Sequence, residues 1–398
     1  MPKDFPAGFN APTSFSLFEG GPVYRLEEKL GLVRDGQKRR GSCMLFALLV
    51  AWVPMLLLAA AQGLAIGPTR LESFLMDFAV NARFLITVPV FLLGEPICRE
   101  KLTTVVRQFL EAGLVKDESR EQFNAMVGET VRLSQSGRTD ALLVCLAYLH
   151  SAATLAVVLF GLQHSTWRTP MSNGHAVLSL AGGWFFLVAL PLYFALMWRW
   201  LLRIALWWRF LWQVSGLDLR ISPAHRDGAG GLEFLGNSVE AFAPFVFGVM
   251  SFSAALVADF VVYEGDSPLQ YQWHVVGLVV FLLILIAGPS LFFARALYKA
   301  REEAIFRYGA LASRQVRRIE AMFPEGPVRE DREWSLPDFR PITHLGHSVT
   351  TVHKMALVPL TKERVLLLVA VALVPFIPVL ATQVPIGEMV SVLLKVLG

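Results

Sequence analysis

His225, Arg226 and Asp227 stand directly before Gly228, Gly230 and Gly231, so an imidazole, a guanidinium and a carboxylate meet three glycines just ahead of an apolar run that starts at Val239. Glycine permits positive φ and close backbone approach, and a helix N-terminus offers free N–H groups and the positive end of its dipole. A phosphate or carboxylate could be held there, with Arg226 supplying charge. The same residues also allow a structural reading, in which His225 and Asp227 cap the helix and the glycines let two helices approach. A nucleotide fingerprint is not formed, because no strand precedes the glycines and no Walker lysine follows them.

A second set is His344, His347 and His353, within one ten-residue stretch. With His225 and Asp227 they could ligate zinc, nickel or manganese. His344 and His347 share a face only if the segment is helical, and the expected state is ordinary loop histidines with no bound metal. A third set is ionisable residues inside apolar runs, where charge is costly and therefore suspect. Arg83 and Asp259 fall near one membrane boundary and could pair; His150 falls near the midplane beside Ser151 and Thr154; Glu95 and Glu240 fall near the opposite boundary. No Ser-His-Asp set, His-Glu-x-x-His or paired acidic motif accompanies them, so no catalytic residue is assigned, no cofactor is expected, and the reading leans away from an enzyme.

The elements that must position these residues are membrane spans. The chain is 55% hydrophobic and 17% charged, with a mean hydropathy of +0.52, too apolar for a soluble protein of this length. A helical span needs about 20 apolar residues. Seven stretches qualify: Ser42–Ile66, Phe78–Cys98, Asp140–Leu162, Ala176–Trp198, Val239–Tyr263, His274–Ala296 and Val365–Ala381. All exceed the length of barrel strands, so the expected class is all-α, a polytopic bundle of about seven spans.

Charge sets the orientation. Of 36 Lys and Arg, 32 lie before the first span, between spans two and three, between four and five, or between six and seven; Arg70, Arg168 and Lys395 lie on the other side and Arg83 within a span. The positive-inside rule then makes the N-terminus cytoplasmic and the C-terminus periplasmic, in a bacterial inner membrane. The basic balance is a topology signal, and no nucleic-acid partner is expected; the partners are the lipid bilayer and, as an open alternative, a further copy of the chain. The first 40 residues do not read as a signal peptide. Cys43, Cys98 and Cys145 read as reduced packing residues.

The chain divides accordingly into a cytoplasmic segment 1–41, spans one and two in 42–98, a cytoplasmic helical hairpin 99–139, spans three and four in 140–198, an interfacial helix with the glycine-rich loop 199–238, spans five and six in 239–296, a cytoplasmic helix and linker 297–364, and span seven with an interfacial C-terminal helix 365–398. Leu102, Val105, Val106, Phe109 and Leu110 predict an amphipathic helix along the membrane surface or against the bundle. Trp198 to Val214 interleaves tryptophan with arginine and reads as an aromatic belt at the headgroups. Six spans contain proline: Pro54, Pro89, Pro191, Pro244, Pro289, and Pro375 with Pro378. Such prolines fit the broken helices of transporters and are also widely tolerated in membranes. No inverted repeat is apparent.

The stretch Pro223-Ala224-His225-Arg226-Asp227-Gly228-Ala229-Gly230-Gly231-Leu232-Glu233-Phe234-Leu235 resembles that of a family of uncharacterised bacterial inner-membrane proteins carrying Pro-x-His-Pro-Asp-x-Ala-Gly-Gly-Leu-x-Phe-Leu ahead of a membrane helix. Leu17 to Arg25, Tyr308 to Arg314 and Val358-Pro359-Leu360 are similar to it as well, so the resemblance covers nearly the whole chain. Arg226 replaces the family's proline and Glu233 a glycine. The resemblance implies the fold and the location, and no activity. Three functions stay open: a transporter or channel for a small or ionic solute, a ligand-responsive membrane module with a cytoplasmic anion- or headgroup-binding loop, and a membrane enzyme acting on a lipid or phosphorylated headgroup.

Overall fold

The computed structural model describes residues 17, 33–34, 37–38, 40–161, 165–172, 175–320 and 346–381. The linker expected over 323–341, His344, most of the N-terminal segment and the C-terminal interfacial helix lie outside the described residues. The chain is an all-α bundle. Among the described residues, seven helices are long and apolar enough to cross a membrane: α1 Cys43–Ala61, α2 Phe78–Glu111, α4 Gly137–Phe160, α5 Leu180–Ser215, α6 Glu233–Tyr263, α7 Pro268–Arg317 and α8 Lys362–Ala381. A further helix, α3 Arg120–Ser134, joins α2 to α4, and residues 346–353 are also helical. Among the described residues the extended pairings are short: two hairpins of two-residue strands and one isolated bridge, Val115 with Leu219.

Helix lengths divide the bundle into layers. At 1.5 Å per residue α2 is about 51 Å long and α5 about 54 Å, well beyond a hydrocarbon thickness of about 30 Å. Their surplus emerges with α3, the start of α6 and the middle of α7 on the face that carries most of the Lys and Arg, here the basic face. The predicted amphipathic stretch is thus the continuation of α2, with Leu102, Val105, Val106, Phe109 and Leu110 buried against the bundle. Phe109 meets Phe123 of α3, Phe234 of α6 and Phe293 of α7 at ring-centre distances of 5.9, 5.0 and 6.2 Å, and Phe123 meets Phe210 of α5 at 5.9 Å. The opposite, short-loop face is formed by residues 62–77, the segment before α5, and the turn from α6 into α7.

The aromatic belt expected over Trp198–Val214 is corrected by this layer. The segment is the second half of α5, and Trp200, Trp207, Phe210, Leu211 and Val214 are buried core residues, while Trp212 is 63% exposed. Residues 200, 203, 207, 210 and 214 fall at helical spacing, and the face they form is covered by α2 and α3 instead of headgroups.

Proline shapes the interior. Single π-helical turns occur at Leu48–Trp52, Arg83–Thr87 and Phe185–Ala189, each ending two residues before a proline: Pro54, Pro89 and Pro191. A proline ring crowds the carbonyl four residues earlier and brings no N–H, and the wider turn relieves the crowding at the cost of unpaired carbonyls. Side chains on neighbouring helices cover these. Trp184 Nε1 donates to the Val50 carbonyl at 3.0 Å, Ser151 Oγ to Phe186 at 2.6 Å, and Trp208 Nε1 to Leu285, four residues before Pro289, at 2.7 Å. Close approach elsewhere depends on glycine: a Cβ on Gly94 would lie 2.5 Å from the Pro244 ring, and one on Gly248 2.6 Å from the Phe91 ring, so side chains of α2 and α6 seat directly on each other's backbone.

Candidate functional site

The glycine-rich loop is built around Asp227. Its Oδ1 accepts from the backbone N–H of Ala229 at 2.9 Å and of Gly231 at 3.1 Å, its Oδ2 accepts from Glu233 at 3.2 Å, and His225 Nδ1 lies 2.9 Å from Oδ1. Gly228, Gly230 and Gly231 adopt φ of 64°, 67° and 94°, which turns those N–H groups inward. The amides that could cradle an external anion are therefore directed at a carboxylate of the same loop. Burial pushes the Asp227 carboxyl up, and the hydrogen bonds from Ala229, Gly231, His225 and Glu233 outweigh it and hold the group below the ordinary carboxylate range. Arg226 is exposed beside it.

A lowered carboxyl pKa contributes stability above its unfolded value of about 3.9, and the contribution disappears as pH falls through the lower, folded value. Asp227→Asn is expected to cost about 0.5–2 kcal/mol at pH 7, the range for a lost cap. The gap from wild type should narrow below about pH 4. Thermal unfolding at the two pH values reads both.

The loop is locked to its surroundings. Ser222 N donates to Gly230 O at 3.1 Å, Ala356 N to Gly228 O at 2.7 Å, and Arg220 N to Leu114 O at 2.8 Å. A Cβ on Gly230 would lie 2.5 Å from Ile221. Glu240 belongs to the same face: Lys101 Nζ approaches it at 2.5 Å, and Arg364 Nη1 at 3.7 Å while also bonding Asn237 at 2.8 Å. This clasp joins α2, α6 and α8. His347 is exposed, and among the described residues no three potential metal ligands come together.

Within the bundle the polar residues separate. Arg83 does not pair with Asp259. Its guanidinium carbon lies 4.5 Å from the Phe252 ring centre, 4.9 Å from Tyr193 and 5.9 Å from Phe185, a cation held by aromatic faces. Arg83 Nε, Tyr193 Oη and Ser253 Oγ are covered from solvent and have no hydrogen-bond partner among the described residues. His150 stacks on Phe194 with ring centres 3.7 Å apart, on the exposed side of α4. Glu95 accepts from Arg203 Nη1 at 2.8 Å, both side chains 2% exposed, with buried Cys98 alongside.

Asp259 lies at the short-loop face, where it takes up the free N–H groups at the start of α2: Phe78 N donates to it at 3.1 Å and Ala79 N at 3.0 Å. Asp77 completes that N-terminus, accepting from Val80 N at 2.8 Å, from Trp167 Nε1 at 3.0 Å, and from Arg168. Two carboxylates from distant segments thus satisfy one helix end and its dipole. Their surroundings are fixed. Trp167 is buried edge-on against Phe74 at 5.0 Å, Ser179 Oγ donates to Trp167 O and accepts from Gly182 N, and Tyr263 Oη donates to Met76 O at 2.6 Å.

Between these groups lies a cleft of about 230 Å³, lined by Arg70, Asp77, Trp167, Arg168, Asp259, Tyr263 and Glu264 and by the apolar Leu71, Met76, Leu256 and Phe260. Arg70 rests on the Tyr263 ring at 4.7 Å, with Glu264 4.0 Å away. Arg70 Nη1 and Arg168 Nε have no hydrogen-bond partner among the described residues. Of the cleft's charged residues, sequence reasoning singled out Asp259 alone. The available signal was the charge rule itself, since Arg70 and Arg168 are two of the three cations that violate it. Arg203 was missed because a span ending at Trp198 leaves it outside the bundle.

Comparison with protein-family models, curated proteins and solved structures finds no match.

Proposed function

We propose that this integral membrane protein binds a small polar solute in the short-loop-face cleft and moves it across the bilayer, with the basic face cytoplasmic and the cleft opening to the periplasm of a bacterial inner membrane. The observation that carries the reading is the sequence of ionisable groups on one helix. Starting from the cleft at Asp77, α2 presents Arg83 in its aromatic cage, then Glu95 bound to Arg203, then Lys101 in the clasp with Glu240. Charges inside a membrane are retained where ions or solutes pass, and π turns with proline at membrane depth give helices a place to bend. The positive-inside count supports the orientation, and the resemblance of the 223–235 stretch supports the inner membrane.

The test is counterflow into proteoliposomes with a labelled panel of amino acids, monocarboxylates and amines. Reporter fusions after Thr169 and Gly216, expected periplasmic and cytoplasmic respectively, give the sidedness. Wild type should exchange at least one solute class and Arg83→Met should lose most of that exchange while folding normally. No exchange of any class by folded wild type would remove transport and leave a membrane receptor or sensor.

A further inference from the structure

We propose that the solute taken by the cleft is a small zwitterion of the α-amino-acid class, its carboxylate received by Arg70 and Arg168 and its ammonium by Glu264 and Asp259. The inference rests on reading the cleft as a solute site and does not depend on transport.

Hydrogen-bond satisfaction is uneven around the cleft. The carboxylate of Asp77 already has three donors and that of Asp259 two, whereas Arg70, its side chain 29% exposed, has Glu264 only at 4.0 Å. A partly exposed guanidinium so loosely paired suits a ligand that brings oxygen acceptors, and a carboxylate matches the planar fork of arginine. Charge makes the second requirement. Three carboxylates face two guanidiniums, and the α2 N-terminus adds roughly half a positive charge. A pure anion would enter a cleft that is slightly negative, and a pure cation would bring no acceptor for Arg70. A net-neutral molecule with both charges satisfies the arginines and the half-exposed carboxylate of Glu264, which holds Arg70 only loosely at 4.0 Å.

Size and walls narrow the class. At about 30 Å³ per water molecule, 230 Å³ is room for roughly eight non-hydrogen atoms. Leu256, Phe260, Met76 and Leu71 supply an apolar side for a short aliphatic group. Valine has this size, both charges on adjacent atoms, and such a group.

The experiment is titration calorimetry of the full chain in nanodiscs with L-valine, isobutyrate and isobutylamine at equal concentrations. The expected result is saturable binding of valine and none of the other two. Arg70→Gln should weaken valine by at least about tenfold, the effect of removing a charged hydrogen-bond partner. Glu264→Gln, at an exposed position where folding is not at risk, should weaken it as well. Valine that does not bind, isobutyrate or isobutylamine binding as tightly as valine, or valine binding unchanged in both variants, would each overturn the proposal. Valine binding without counterflow sinks transport and leaves the zwitterion site; counterflow of another solute without valine binding does the reverse.

Discussion

Arg203→Leu should be the most damaging single substitution in the bundle, lowering stability by about 3–5 kcal/mol, because it removes the guanidinium bonded to Glu95, whose side chain is 2% exposed. Glu95→Leu should cost a similar amount by removing the carboxylate from a buried guanidinium. The double variant Glu95→Leu/Arg203→Leu should be clearly more stable than either single one, since two apolar side chains of comparable volume leave no isolated charge. Equilibrium unfolding of all four proteins in mixed micelles gives the coupling directly. Additive losses in the double variant would show that the two residues act through separate neighbours.

The second large effect concerns the tryptophans over the proline-freed carbonyls. Trp184→Phe keeps an aromatic ring but removes the N–H that reaches Val50, and Trp208→Phe does the same at Leu285. An unmet carbonyl in an apolar interior costs about 1–3 kcal/mol. Each variant should lose that much, while Trp212→Phe, at an exposed ring, should be nearly neutral. If all three behave alike, the loss comes from ring size and the carbonyl bonds are unimportant.

Seven spans were legible because hydropathy over about 20 residues is a local property, and a bilayer imposes it on each helix separately. The surplus of α2 was half legible: the spacing of Leu102, Val105, Val106 and Phe109 marks one apolar face, but a pattern along one helix does not say whether lipid or protein covers it. The same ambiguity misled the reading of Trp198 to Val214. Arginine beside tryptophan describes a headgroup belt equally well as a core in which Arg203 meets a carboxylate 108 positions earlier.

The glycine loop attracted notice because its chemistry is contiguous, and the structure turns that contiguity inward, with Asp227 meeting its own neighbours' amides. The cleft has the opposite character. Arg70, Asp77, Arg168, Asp259 and Glu264 come from three separate segments and meet only when three helix ends converge. No local spacing encodes that meeting.

The three π turns have a mechanical consequence. Leu48–Trp52 packs against both Arg83–Thr87 and Phe185–Ala189, and all three lie at a similar depth below the short-loop face. A regular helix transmits a twist along its length, whereas a widened turn can absorb one by changing its bond pattern. Three such turns lie side by side, in α1, α2 and α5. The cleft and its charged walls lie on one side of these turns and the Glu95–Arg203 pair and the Lys101–Glu240–Arg364 clasp on the other, so any twist they absorb falls between the two sets of charges.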